Sequence, residues 1–180
     1  MINLKLLNSK ISEEDFKFLK KNNYEDSSFI YGEICNKDLL NILIKYIRDE
    51  KTMLDVGSGC GKLSIYIALK LNIYVEGIEI VKNRFLKSEK LLEFYNIYEK
   101  VNFINDDFKN LYFGNFEIIY CCNLVFSDYH NNLLYQKIEK EFNGLFILFE
   151  YNNLLANYLI DKVVIKCSWN KHTEIFIFRK

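Results

Sequence analysis

One feature constrains this chain more than any other. It is an apolar run that ends in an acidic residue and is followed at once by three alternating glycines. Residues 54–62 read Leu-Asp-Val-Gly-Ser-Gly-Cys-Gly-Lys, and an apolar spacing typical of a helix follows. Glycine lacks a Cβ, so the backbone can turn tightly and approach a ligand closely. The helix start behind the turn offers free N–H groups and the positive end of its dipole. The segment therefore predicts the strand, turn and helix that open a βαβ unit.

A second apolar segment, residues 73–80, ends in Glu79. Nucleotide-binding βαβ units place a carboxylate for ribose hydroxyls about 20 residues beyond the turn, as here. The three glycines, however, are spaced one residue more tightly than in the dinucleotide fingerprint G-x-G-x-x-G. Asp55 in front of them would repel a pyrophosphate but suits a ligand that carries cationic groups. These features favour S-adenosyl-L-methionine as the cofactor, and the D-x-G-x-G-x-G pattern resembles motif I of class I methyltransferases.

Length and composition are those of one globular domain, with 180 residues of which 50% are hydrophobic and 27% charged. The 24 basic and 24 acidic residues cancel, which argues against strong nonspecific binding to nucleic acid. No apolar run reaches the length of a membrane span and no secretory signal opens the chain, so we expect an intracellular protein, cytoplasmic or nuclear. Five cysteines without a C-x-x-C pair, beside two histidines, predict buried reduced thiols and no metal site.

Apolar strand and helix patterns alternate along the chain. Strands are predicted at residues 52–56, 74–80, 101–105, 116–122, 144–150, 162–167 and 173–179, and helices at 38–48, 61–71, 81–96, 131–142 and 151–160. This alternation predicts an α/β fold, a doubly wound, seven-stranded, mostly parallel sheet of the Rossmann-like type. The last two strands have almost no helix between them and predict an antiparallel end. We interpret residues 1–30 as a short helical lead-in and residues 31–180 as the methyltransferase domain.

Two further motifs fall at the predicted carboxyl edge of this sheet, where such folds bind ligands. Asp107 and Phe108 follow the third strand, and an acidic residue before an aromatic one suits the amine and the ring of adenine. Asn123 and Phe126 follow the fourth strand, at the edge that would face the transferred methyl group. Enzymes that methylate a base amine carry an Asn/Asp-Pro-Pro-aromatic element here, and this chain has no proline. Nucleobase N-methylation is therefore disfavoured.

Several segments together resemble the histone-core lysine methyltransferases named for disruption of telomeric silencing, the Dot1-like family. They are, in chain order, residues 22–25, 31–33, 55–62, 77–79, 106–108, 123–126, 168–169 and 175–180. The Tyr-Gly-Glu loop at residues 31–33 and the Ser-Trp pair at residues 168–169 are the family-specific parts. The chain departs from the family where Ile34, Lys62 and Cys122 stand in place of the usual Thr, Gln and Asn.

The resemblance implies a specific set of functional residues. The implied cofactor contacts are Tyr31, Glu33, Asp55, Gly57, Gly59, Lys62, Glu79, Asp107, Phe108 and Asn123. Phe126, Trp169 and Phe176 would line an aromatic channel for the acceptor, with Asn123 beside the methyl group. The implied reaction is transfer of a methyl group from S-adenosyl-L-methionine to a protein lysine ε-amine, with a histone as one possible substrate. A dry channel would lower the pKa of the ammonium and align the reacting atoms, so we expect no dedicated general base.

Two other functions stay open at the level of the sequence. The first is a methyltransferase that acts on a small molecule or on RNA. The zero net charge and the missing proline element count against RNA. The second is a non-catalytic subunit with the same fold. The intact set of Asp55, Gly57, Gly59, Glu79 and Asp107 argues against that second alternative, because a pocket without a ligand does not need all five.

Overall fold

The computed structural model describes residues 34–180 and, before them, four exposed helical residues at positions 13, 17, 20 and 21. Tyr31, Glu33 and most of the predicted lead-in lie outside the described residues. The described strands are β1 (Thr52–Val56), β2 (Tyr74–Ile78), β3 (Val101–Ile104), β4 (Ile118–Cys121), β5 (Leu145–Leu148), β6 (Leu159–Ile165) and β7 (Thr173–Arg179). The α-helices that follow residue 34 are α1 (Asn36–Tyr46), α2 (Lys62–Leu71), α3 (Lys82–Tyr95) and α4 (Asp128–Glu141).

The strands form one seven-stranded sheet in the order β3-β2-β1-β4-β5-β7-β6. β1 to β5 pair in parallel, whereas β7 runs antiparallel to both of its neighbours. The chain order reverses between β1 and β4, so the carboxyl ends of these strands border the crevice where doubly wound sheets bind ligands. The predicted fold class and the antiparallel end are confirmed.

Apolar side chains alternate between the two faces of the sheet and form two cores. Met53, Val75 and Ile147 pack with α1, α2 and α3 on one face. Leu54 and Phe146, by contrast, pack with α4 on the other. Because β1, β4 and β5 are covered on both faces, their residues are almost all buried, as expected for parallel strands. The rigid centre of the sheet thus fixes the positions of the loops at its carboxyl edge.

One predicted element is wrong. Residues 151–160 do not form an α-helix, because a 3₁₀ helix spans Asn153–Tyr158 and β6 already begins at Leu159. The strand starts early because Leu159 pairs with Phe178 in the ladder with β7. The prediction that the thiols are buried holds for Cys60 and Cys121, whereas Cys122 and Cys167 are half-buried and Cys35 is exposed; all five cysteines are free as expected. No helix within the described residues has the length and apolar character to cross a membrane.

Candidate cofactor and acceptor site

The glycine turn after β1 has the backbone that its sequence predicts. Gly57, Gly59 and Gly61 all have positive φ angles, which L side chains rarely adopt. The amides of Gly57 and Ser58 both donate to the carbonyl of Ile78, at 2.9 and 3.1 Å. Gly57 is exposed, and a Cβ added there would meet no atom within 4 Å among the described residues. The turn is therefore hydrogen-bonded to the last residue of β2 and has open space around Gly57.

Glu79 lies just beyond β2 and is 4% exposed. One carboxylate oxygen accepts from the Gly59 amide at 2.9 Å, and the other accepts from the Val81 amide at 2.8 Å. Gly77, two residues earlier, is closely packed. A Cβ there would lie 2.7 Å from both the Phe103 ring and the Ser58 Cβ. The end of β2 thus supports the turn after β1 through a carboxylate and through close packing. A carboxylate oxygen can accept more than one hydrogen bond, so Glu79 could also accept from a ribose hydroxyl.

Asp55 lies inside β1 and is 2% exposed. Its carboxylate accepts a hydrogen bond of 2.6 Å from the hydroxyl of Ser64, in the first turn of α2. Burial is the main cause that raises the pKa of Asp55 to about 7; the hydrogen bond from Ser64 opposes the shift and the charge of Glu79 adds to it. A carboxylate so short of stabilising partners favours a ligand that brings positive charge.

The residues at this edge fit S-adenosyl-L-methionine. Among the described residues, the buried hydroxyl of Ser58 has no hydrogen-bond partner, which leaves a polar atom for a ligand at the turn. The open side of Gly57 gives room, Asp55 supplies the negative charge and Glu79 supplies ribose acceptors. Lys62 is half-buried at the first position of α2, directly behind the turn. This donor and acceptor set matches a nucleoside that carries a cationic amino-acid tail.

Asp107 and Phe108 follow β3 as predicted. Asp107 caps a short 3₁₀ helix by accepting from the Lys109 amide at 3.0 Å, and it forms an ion pair of 2.8 Å with the Lys109 ammonium. Phe108 is buried and its ring stacks on Phe126, with centroids 5.6 Å apart and planes at 13°. The stack joins the residue predicted to cover adenine to a residue predicted to line the acceptor channel. Cofactor contact by these residues stays a prediction.

Asn123 is fully buried, and its amide is bonded on both sides. The amide nitrogen donates to Asn131 at 2.8 Å and to the Tyr135 hydroxyl at 3.0 Å. The amide oxygen accepts from the backbone of Phe149 at 2.9 Å and of Glu150 at 3.2 Å. The side chain therefore braces the ends of β4 and β5 against α4. A contact between Asn123 and the cofactor or acceptor stays a prediction, and the amide could make it only by weakening these bonds.

The three predicted channel aromatics border the ends of β4 and β5 from different directions. Trp169 is 45% exposed in the β6–β7 loop, with its ring 6.3 Å from that of Phe149. Phe176 in β7 lies 5.5 Å from the Tyr151 ring, on the face of the second core. Phe126 packs against the same core, stacked on Phe108 as described. The structure thus brings all three to the carboxyl side of the sheet, but it does not bring their rings into contact with one another.

An open surface depression of about 300 Å³ lies beside Trp169. Its lining consists of Ile34, Cys35, Lys166, Cys167 and Ser168. Backbone bonds tie its two walls together, since the Cys35 amide donates to the Lys166 carbonyl at 3.0 Å and Ile34 pairs with Cys167 as an isolated antiparallel bridge. The segment that leads into α1 and the Ser-Trp loop are therefore neighbours.

Sequence reasoning missed three residues of this edge: Ser64, Asn131 and Glu150. Ser64 and Asn131 lie in first turns of helices, and nothing in the sequence distinguishes them from other polar helix residues. Glu150, in contrast, ends the apolar run at residues 144–149. The signal that identified Glu79, a carboxylate at the end of an apolar strand, would have identified Glu150 too.

Solved structures of other proteins share this fold at low sequence identity. Magnesium protoporphyrin IX methyltransferase from Synechocystis PCC 6803, with bound S-adenosylmethionine, aligns over 100% of this chain and 86% of its own, with a TM-score of 0.66 and 12% identity. An RNA methyltransferase from Salinibacter ruber aligns over 79% of this chain and 88% of its own, with a TM-score of 0.64 and 15% identity. A putative S-adenosylmethionine-dependent methyltransferase from Methanococcus maripaludis aligns over 100% and 96%, with a TM-score of 0.64 and 14% identity. No curated protein sequence matches the chain significantly.

The strand order, the antiparallel β7 and the glycine turn between two carboxylates define a class I S-adenosylmethionine-dependent methyltransferase. The chain belongs to the DOT1 family, described as histone methylation protein DOT1, whose family model matches residues 13–148. The match includes Asp55, Glu79 and Asn123, whereas Trp169 and Phe176 lie outside it.

Proposed function

We propose that this protein transfers a methyl group from S-adenosyl-L-methionine to the ε-amine of a protein lysine. The observation that carries the proposal is the aromatic border around the carboxyl ends of β4 and β5, formed by Phe126, Phe176 and Trp169. Aromatic walls suit the alkyl stem of a lysine and attract its cationic end. Membership in the DOT1 family supports the same acceptor class.

Two groups of residues of this chain would hold the cofactor and the acceptor at the carboxyl edge of the sheet. Asp55, Glu79 and the open turn at Gly57 would bind the cofactor, which when bound supplies an electrophilic methyl group on a sulfonium. Phe108 connects this half of the site to the acceptor half through its stack on Phe126. The aromatic residues would exclude water from the amine and hold it in line for displacement, which is where proximity contributes most to the rate.

A labelling experiment tests the acceptor class directly. The protein is incubated with methyl-labelled S-adenosylmethionine and, in parallel, with purified core histones, a cell lysate, total RNA and a small-metabolite extract. We expect label in protein, recovered as N-methyl-lysine by mass spectrometry of the digest. Label that enters RNA or a small molecule and never protein would contradict the lysine proposal and leave only the methyltransferase class.

Trp169→Ala, compared with Tyr98→Ala, tests the aromatic border. Both residues are exposed aromatics, at 45% and 54%, but Tyr98 precedes β3 at the opposite edge of the sheet. Trp169→Ala should lower label transfer about tenfold or more while cofactor affinity stays within about twofold, because the ring would contact the acceptor and not the adenosyl group. Tyr98→Ala should change neither. If Trp169→Ala lowers the melting temperature and cofactor affinity together, the ring serves only to pack the sheet.

A further inference from the structure

Glu150 is a carboxylate at the acceptor edge whose charge is not neutralised by any described residue. It follows β5 and is half-buried. One oxygen accepts from the side-chain amide of Asn131 at 2.8 Å, and Asn131 is neutral. Within residues 34–180, Glu150 forms no ion pair, and the charged group that acts on it is Asp128, of the same sign. Burial, and to a smaller extent Asp128, raise the pKa of Glu150 above its ordinary value.

Residues next to Glu150 contact each of the three aromatic residues at this edge. Phe149, the residue before it, contacts Trp169, and Tyr151, the residue after it, contacts Phe176. Asn131, which holds the Glu150 carboxylate, also donates weakly to the carbonyl of Phe126 at 3.4 Å.

The Glu150 backbone is held as firmly as its side chain. Its amide donates to the buried Asn123 amide oxygen at 3.2 Å. Glu150 is therefore held at the end of β5, between two residues that contact Trp169 and Phe176. A partly buried charge held in this way is stable when a partner of opposite charge reaches it.

We propose that Glu150 binds the acceptor nitrogen and selects an amine over neutral or anionic acceptors. This inference rests on the methyl transfer proposed above. In that reaction the acceptor ammonium first loses a proton to water, the freed nitrogen lone pair forms the new N–C bond, and the electron pair of the broken C–S bond stays on sulfur. Positive charge thus moves from sulfur to nitrogen. A carboxylate beside the nitrogen accepts a hydrogen bond from the amine and is best matched to the charge that develops on it.

The same carboxylate would disfavour other acceptors. A carboxylic acid substrate ionised at neutral pH, or the phosphate-flanked groups of RNA, would bring a like charge to Glu150 and Asp128. A hydroxyl acceptor would gain a hydrogen bond but no charge attraction. Glu150 is therefore a specificity-determining residue for the acceptor, in addition to the aromatic side chains that would enclose it.

Bisubstrate probes test this selection without knowledge of the natural substrate. Three adenosine-based probes are used, in which the methyl group is replaced by a short chain that ends in an amine, a hydroxyl or a carboxylate. Their dissociation constants are measured by calorimetry with the full chain, beside that of S-adenosylhomocysteine. Wild-type protein should bind the amine probe about tenfold or more tightly than the hydroxyl probe, the scale of a charge-assisted hydrogen bond, and should bind the carboxylate probe most weakly.

Glu150→Gln should abolish this ranking and leave S-adenosylhomocysteine affinity unchanged, because the Gln amide oxygen can still accept from Asn131. Its melting temperature should not fall, and should rise slightly at high pH, because the variant removes a charge whose burial raises the pKa of Glu150. Glu99→Gln, an exposed carboxylate before β3, is the matched control and should keep the wild-type ranking. An amine preference that survives in Glu150→Gln, or its absence in the wild-type protein, would overturn the inference. Failure of S-adenosylhomocysteine and all probes to bind wild-type protein would instead refute the methyltransferase proposal itself, and the inference with it.

Discussion

The carboxylate of Glu79 accepts a hydrogen bond from the amide of Gly59 at 2.9 Å, so the end of β2 holds the turn that follows β1. The same carboxylate accepts from Val81, the residue that precedes α3. One side chain therefore fixes both a turn that approaches the cofactor and the start of a helix. Loss of Glu79 should affect the geometry of the turn even before a ligand binds.

Glu79→Ala should weaken S-adenosylmethionine binding by roughly 1.5–3 kcal/mol per lost charged hydrogen bond and also lower the free energy of unfolding. Calorimetric titration and chemical denaturation measure the two effects in one preparation. Glu76→Ala is the matched control, since Glu76 lies in β2, three residues before Glu79, but bonds to Asn102 and Tyr74. Equal cofactor affinity in the two variants would contradict the assigned role of Glu79.

Asp55→Asn should stabilise the ligand-free protein at high pH. Because the pKa of Asp55 is about 7 in the folded protein and 3.8 ordinarily, the folded state keeps a proton that the unfolded chain loses in this window. The free energy of unfolding therefore falls as pH rises through that window, and the loss is complete above the folded pKa. Asn removes this loss, so the variant should gain roughly 1–4 kcal/mol at pH about 8 and little at pH about 4.

Melting temperatures across this pH range test the prediction, and Asp161 supplies a control of opposite sign. Hydrogen bonds from Tyr46 and Lys45 lower the pKa of Asp161 to about 2, so its charged form favours folding. Asp161→Asn should therefore not stabilise the protein at high pH. If Asp55→Asn melts at a lower temperature than the wild type at pH about 8, the charge of Asp55 does not destabilise the folded state and the prediction is wrong.

Cofactor affinity should rise with pH in the wild-type protein. Protonated Asp55 cannot pair with a cationic ligand, so binding must release a proton below the folded pKa of about 7. The dissociation constant should fall by up to about tenfold per pH unit below that value and level off above it. Calorimetry in two buffers of different ionisation enthalpy measures the proton released. A dissociation constant that is flat between pH about 5.5 and 8 would contradict the prediction.

Asn123→Ala should destabilise the fold and disturb the acceptor edge together. The change leaves the buried amides of Phe149 and Glu150 without their acceptor, at a cost of about 1–3 kcal/mol for each unsatisfied group. Asn132→Ala, at an exposed position of α4, is the control and should change stability by no more than about 0.5 kcal/mol. Equal denaturation midpoints for the two variants would show that the Asn123 network adds nothing to stability.

The sequence predicts those parts of the fold and site whose signals are local. Strands with a strong apolar pattern contain or flank Asp55, the glycines and Glu79. The sequence pattern alone therefore places these residues at the edge of the sheet, where the structure has them. Residues 151–160 fail for the opposite reason. Their apolar spacing suits a helix, but pairing of Leu159 with Phe178, 19 positions later in the chain, decides where β6 begins. Local preference is weak when a distant strand offers a ladder.

The role of Asn123 shows the same limit within the site. Its place after β4 was evident from the sequence, and it favoured contact with the cofactor or acceptor. Its partners, however, come from α4 and from the end of β5, and no local pattern reveals that both sides of the amide are occupied. Hydrogen-bond partners of a buried amide depend on tertiary packing, which a sequence motif does not encode.

The order of the last three strands has a consequence for biosynthesis. β7 lies between β5 and β6, so among the described strands β6 pairs with β7 alone, and β7 is synthesised after it. As the chain leaves the ribosome, β1 to β5 can assemble while the apolar residues of β6 still have no neighbouring strand. Trp169, in the loop between β6 and β7, reaches Phe149 once β7 has inserted. A nascent chain could therefore complete its cofactor half well before its acceptor half, and so hold the methyl donor before it is competent to use it.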